Sequence, residues 1–144
     1  MAKEFSEELE RYEFSIDRWE HSYSYIADPL SLTEVDEFIH LETLDLFGKM
    51  TLPLIYAGSA ICLMIASERP VPGDQPVSFR PVIGNVTIRG RVFDAYVQLP
   101  ASHTARLTTV ACTGRLKAAG FSAESFIRKR AVIRSMRVST KAEE

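Results

Sequence analysis

Apolar and polar residues alternate through most of this chain, and early on the alternation changes phase. From Tyr12 the apolar residues fall on even positions (Tyr12, Phe14, Ile16), and beyond Asp17-Arg18 on odd ones (Trp19, Tyr23, Tyr25). Successive side chains of a strand point to opposite faces, so the pattern predicts a half-buried strand over residues 12–26. One extra residue swaps the faces, which places a bulge or break near Asp17-Arg18. Asp28-Pro29 predicts a turn.

The next segment fits two periods. Thr33-x-x-Asp36 could open a helix, with Val35, Phe38, Ile39 and Glu42 at helical spacing, whereas Leu44 and Leu46 flank Asp45 as in a strand. A short turn and then a strand from about Glu37 to Phe47 is the reading adopted. Gly48-Lys49 would turn the chain, and Ile55 to Ser67 would run through the core. Arg69 to Pro81 holds four prolines and reads as a loop, because proline donates no ladder hydrogen bond.

Val82 to Gly114 is the clearest local unit. Val86 to Ile88, Arg89-Gly90 and Arg91 to Leu99 predict a hairpin with glycine in the turn. Phe93, Ala95, Val97 and Leu99 share one face; Asp94, Tyr96 and Gln98 share the other. A helix near residues 102–113 follows, with Ser102 as N-cap, Leu107, Val110 and Ala111 on one side and Gly114 as C-terminal cap. Arg115 to Phe121 is a strand candidate, Ser122 to Ser125 a turn, and Ala131 to Ser139 a last strand. Residues 140–144 are expected to fray. Short strands with turn signals and one short helix predict a mainly β fold in a single domain over residues 1–144. The expected form is an antiparallel β-sandwich or curled sheet, with a partly open barrel as the alternative.

Composition narrows the class more than the function. A length of 144 residues with 46% hydrophobic and 25% charged residues is an ordinary globular balance with enough apolar content for a core. Met50 to Ser67 runs eighteen residues without a charge. It contains Pro53, Gly58 and two serines, so buried strands explain it better than a membrane span of about 20 apolar residues. The acidic N-terminus lacks an apolar signal core, which makes a cytoplasmic protein without membrane attachment the expectation. Cys62 and Cys112 lie in apolar surroundings and read as two buried free thiols.

Charge changes the picture. Up to Gly48 there are thirteen acids and three bases; from Lys49 onward there are fourteen bases and six acids. Either the split marks a surface for a charged partner, or the two halves face each other in the fold.

The chain has no G-x-S-x-G, H-E-x-x-H, C-x-x-C or P-loop pattern. His40-x-Glu42 is too little for a metal centre, and neither cysteine has a histidine near it in sequence. No cofactor or metal is therefore expected. The expected role is a non-catalytic protein-interaction or structural domain, with homodimerisation one form of it and Trp19, Tyr23, Tyr25 and Tyr96 as interaction candidates. The alternative is single-stranded nucleic-acid binding through Arg128, Lys129, Arg130, Arg134 and Arg137, with Phe121 and Phe126 as stacking partners. A pI near 5.9 weighs against it. Arginines of that segment could instead meet Glu13, Glu20, Glu42 or Asp45 on a neighbouring strand. A small enzyme with a dispersed site is the remaining alternative.

Overall fold

The computed structural model describes residues 9–27, 38–68 and 82–141, with backbone alone at 25–27, 38–40 and 68. The strands are β1 (Glu10–Ala27), β2 (Phe38–Leu52), β3 (Ala60–Glu68), β4 (Gly84–Arg89), β5 (Val92–Pro100), β6 (Ala118–Ala123) and β7 (Arg130–Ser139). A helix, α1 (Ala101–Cys112), follows β5, and one turn of 3-10 helix (Leu54–Tyr56) follows β2. The strands close into a barrel in the order β1-β2-β3-β5-β4-β7-β6. The fold is mainly β, and the barrel is the form it takes rather than two facing sheets. It is closed rather than partly open because β6 pairs back onto β1 from Glu10↔Ala123 to Ser15↔Ala118. In β6, Ala118, Ala119, Phe121 and Ala123 are all buried, so both of its faces are covered.

One pair departs from the antiparallel expectation: β3 and β5 run parallel from Ala60↔Val92 to Glu68↔Pro100. The β4–β5 hairpin sets its more apolar strand against β3, itself apolar on both faces. Phe14, Leu44, Leu46, Leu63, Ile65, Phe93, Val97 and Ile133 fill the interior without measurable exposure.

The phase change in β1 is a bulge, with a register shift against β2 between Ile16 and Arg18. Gly48 is not a turn, since β2 continues to Leu52 and Gly48 sits opposite Ile16 at that bulge. A Cβ at Gly48 would lie 1.7 Å from the Ser15 carbonyl oxygen, so the glycine is required by the close approach of β1. The chain reverses instead through Pro53 to Ser59, where Tyr56 N–H donates to the Pro53 carbonyl. Leu54 and Ile55 therefore lie outside, 80% and 77% exposed, rather than beginning a core run.

The helix starts at Ala101, directly after the strand-end Pro100, so Ser102 lies inside it and caps nothing. Gly114 takes the left-handed conformation expected of a C-terminal cap, and its N–H donates to the Ala111 carbonyl. Thr104 and Ala111 are buried, while Leu107 and Val110 pack on the core. Ser122 and Ala123 belong to β6, and the turn predicted there comes later, at Arg128-Lys129. The turn expected at Asp28-Pro29, the opening Thr33-x-x-Asp36, the loop from Arg69 to Pro81 and most of the tail lie outside the described residues.

Candidate functional site

Strand directions sort the connections to two ends of the barrel. At the lower end lie the start of β1, the turn 53–59, the β4–β5 turn at Gly90-Arg91 and the β6–β7 turn at Arg128-Lys129. The upper end holds α1, the end of β1 and the start of β2.

An aromatic cluster closes the lower end from inside. Tyr12 stacks on Phe121 with ring centroids 5.2 Å apart and meets the edge of Phe126 at 5.9 Å. Tyr56 sets its edge against Phe93 at 4.9 Å. Burial, then the charges of Glu10 and Tyr56, pushes the Tyr12 hydroxyl up to about 12. With Tyr56 turned inward, Leu54 and Ile55 are turned out.

Around them the rim is apolar and basic. Ile127 is 74% exposed, and Leu9, Leu52 and Val92 are also exposed. Arg91, Arg128, Lys129 and Arg130 are exposed beside them, and no carboxylate pairs with any of these four among the described residues. Of the nearby acids among the described residues, Asp94 takes Arg89 at 2.7 Å and Glu124 takes Arg134 at 2.7 Å, which leaves Glu10. Arg128 and Lys129 both hold positive φ, 54° and 65°, in a two-residue turn where Ile127 and Arg130 exchange both backbone hydrogen bonds. Such turns ordinarily use Asn-Gly, because side chains other than glycine cost about 1–2 kcal/mol in this conformation.

The basic segment is thus divided. Its first three members form the tip, while Arg134 reaches Glu124 and Arg137 reaches Glu13. Glu13 is only 2% exposed and also holds Arg11 at 2.6 Å. It lies on the row Glu13↔Gly120↔Arg137 across three strands, and the bare Gly120 lets the Arg137 side chain cross β6. Phe121 is buried and Phe126 packs on Tyr12, so neither offers an open ring for base stacking.

The interaction candidates part company as well. Trp19 packs half-buried on the core, and Tyr96 lies on the outer face of β5, where its hydroxyl accepts from Gln98 at 2.9 Å. Tyr23 is 57% exposed; only the backbone of Tyr25 is described. Both tyrosines sit where β1 and β2 continue past the β2–β3 ladder as a two-stranded arm, paired from Tyr23↔Glu42 to Ala27↔Phe38. The opposite edge of β1 is paired by β6 only as far as Ser15, after which Ile16 N–H donates to the Lys117 carbonyl. From Arg18 onward that edge meets no strand among the described residues.

Burial, then Asp45 and Asp94, pushes the Cys62 thiol up to about 11, the wrong direction for a nucleophile. Cys112 is an exposed free thiol near the helix C-terminus. His21 lies 2.8 Å from Glu42 on β2, a pair with no third ligand; no group of three or more His, Cys, Asp or Glu residues could hold a metal among the described residues. Two shallow cavities of about 240 and 330 Å³ meet at Met136 and Arg137, the first lined by β1, β6 and β7 and the second by β5, α1 and β7. No helix among the described residues is long and apolar enough to cross a membrane. No protein-family model, curated protein or solved structure matches the chain.

Proposed function

We propose that the chain is a non-catalytic interaction domain that works as a homodimer, joined along the open edge of β1. The observation that carries this reading is the outer edge of β1, where Arg18 to Ala27 is fully paired with β2 on one side and meets no strand on the other among the described residues. Exposed edges recruit further strands and are normally blunted by lysine, proline or a bulge. Trp19 to Ala27 contains no lysine, proline or glycine. Ser22 to Ala27 carries no charge either, so a second copy laid antiparallel about a two-fold axis opposes no like charges. Backbone hydrogen bonds would supply the adhesion and side chains of the arm the register.

Light scattering coupled to size exclusion tests the proposal: the chain should elute at twice its 16.2 kDa mass. Ser22→Lys with Ser24→Lys sets four ammonium groups across the two-fold axis and should give a folded monomer. A monomeric parent protein at micromolar concentration, or a double variant that stays dimeric, would sink the proposal.

A further inference from the structure

We infer that the lower end of the barrel is a docking surface for an anionic lipid bilayer, engaged peripherally and without a spanning segment. The inference is independent of the β1 edge, which runs out toward the upper end. Three separate connections present exposed large aliphatic side chains, and two of them also carry bases with no acid partner among the described residues. Leu54 and Ile55 project from the first, Val92 beside Arg91 from the second, and Ile127 beside Arg128, Lys129 and Arg130 from the third.

Exposed aliphatics of this size are costly in water unless something covers them, and Leu54, Ile55 and Ile127 are 80%, 77% and 74% exposed. Tyr56, within the same 3-10 turn, shows the alternative, since it folds inward onto Phe93 while Leu54 and Ile55 do not.

Charge selects the occupant. Among the described residues, four bases without an acid partner face one acid, Glu10, because the other described carboxylates of this end are engaged by Arg89 and Arg134. Basic residues near an anionic leaflet add affinity one by one, and short aliphatic tips settle into the headgroup–acyl boundary. A nucleic acid would use the bases but has no use for Leu54, Ile55 and Ile127. It would also want open aromatic rings, whereas Tyr12, Phe93 and Phe121 point into the core.

Two positively-φ side chains at Arg128-Lys129 fit the same reading. The turn holds its bases at the apex in a conformation that glycine or asparagine would adopt at lower cost.

Co-sedimentation with vesicles tests the inference. The full chain should bind phosphatidylcholine–phosphatidylserine vesicles at low salt, lose binding as salt is raised, and ignore phosphatidylcholine alone. Arg128→Glu with Lys129→Glu, and separately Leu54→Ser with Ile55→Ser, should each weaken binding by a factor of about ten or more. All four residues are exposed, and a circular-dichroism melt checks that both variants remain folded. No binding to the mixed vesicles at low salt, or full binding by both folded variants, would overturn the inference. Binding to a single-stranded oligonucleotide that is lost with the arginine–lysine variant but kept by the leucine–isoleucine variant, without vesicle binding, would reassign the surface to nucleic acid and equally overturn it.

Discussion

At the scale of single residues, the barrel places ionisable groups where their charged forms are disfavoured, and this sets how stability responds to pH. Tyr12 is the clearest case, with its hydroxyl held at about 12 against an ordinary value of 10.0. Because the folded value is raised for a group that is neutral when protonated, the unfolded chain releases this proton first as pH rises. The Tyr12 contribution to stability should therefore be intact below pH 10 and be lost between there and about 12. Cys62, raised from 9.0 to about 11, adds to the loss and begins it earlier. Denaturant titrations at stepped alkaline pH should show this decline, and Tyr12→Phe should flatten its upper part while leaving neutral-pH stability within about 1 kcal/mol. An unchanged alkaline profile in the variant would mean that Tyr12 is more hydrated than its stacked position on Phe121 implies.

At the scale of elements, the β6–β7 turn carries a trade between stability and charge. Arg128→Asn with Lys129→Gly replaces two strained side chains by the pair such turns favour, and should stabilise the fold by about 1–2 kcal/mol in chemical denaturation. If the turn exists for its bases, the same variant loses vesicle binding while gaining stability. Much of the element pattern was legible in the sequence, because it depends on neighbours a few residues away. The β1 bulge followed from a swap of apolar phase at Asp17-Arg18, and the β4–β5 hairpin from alternation around Arg89-Gly90. What escaped depends on distant partners. Gly48-Lys49 resembles a turn locally, but its meaning comes from the Ser15 carbonyl, which β1 brings within contact distance. Leu54 and Ile55 belong to a charge-free run, and hydrophobicity alone does not tell a core strand from an exposed rim. The basic cluster was visible as composition, yet its division between tip and ion pairs needed β7 to be placed beside β6 and Glu124.

At the scale of the whole molecule, the opposition of an acidic first third and a basic remainder is partly resolved across the seam that closes the barrel. Glu13 and Arg137 are 124 residues apart in the chain and meet across β6. The buried carboxylate also gathers Arg11, so one acid serves two cations where the first and last strands flank the closing one. Removing one partner of such a pair leaves the other without its compensation, which costs more than the pair itself contributes. Glu13→Gln and Arg137→Gln should each lower stability, and the double variant should lose less than the sum of the two. The coupling expected from a double-mutant cycle is about 1–3 kcal/mol, because Glu13 is shielded from solvent while Arg137 is half-exposed. Additive losses would mean that the seam is held by the β1–β6 ladder and its alanine-rich packing alone. The charge split would then belong wholly to the surfaces, with the bases of the lower end as its main expression.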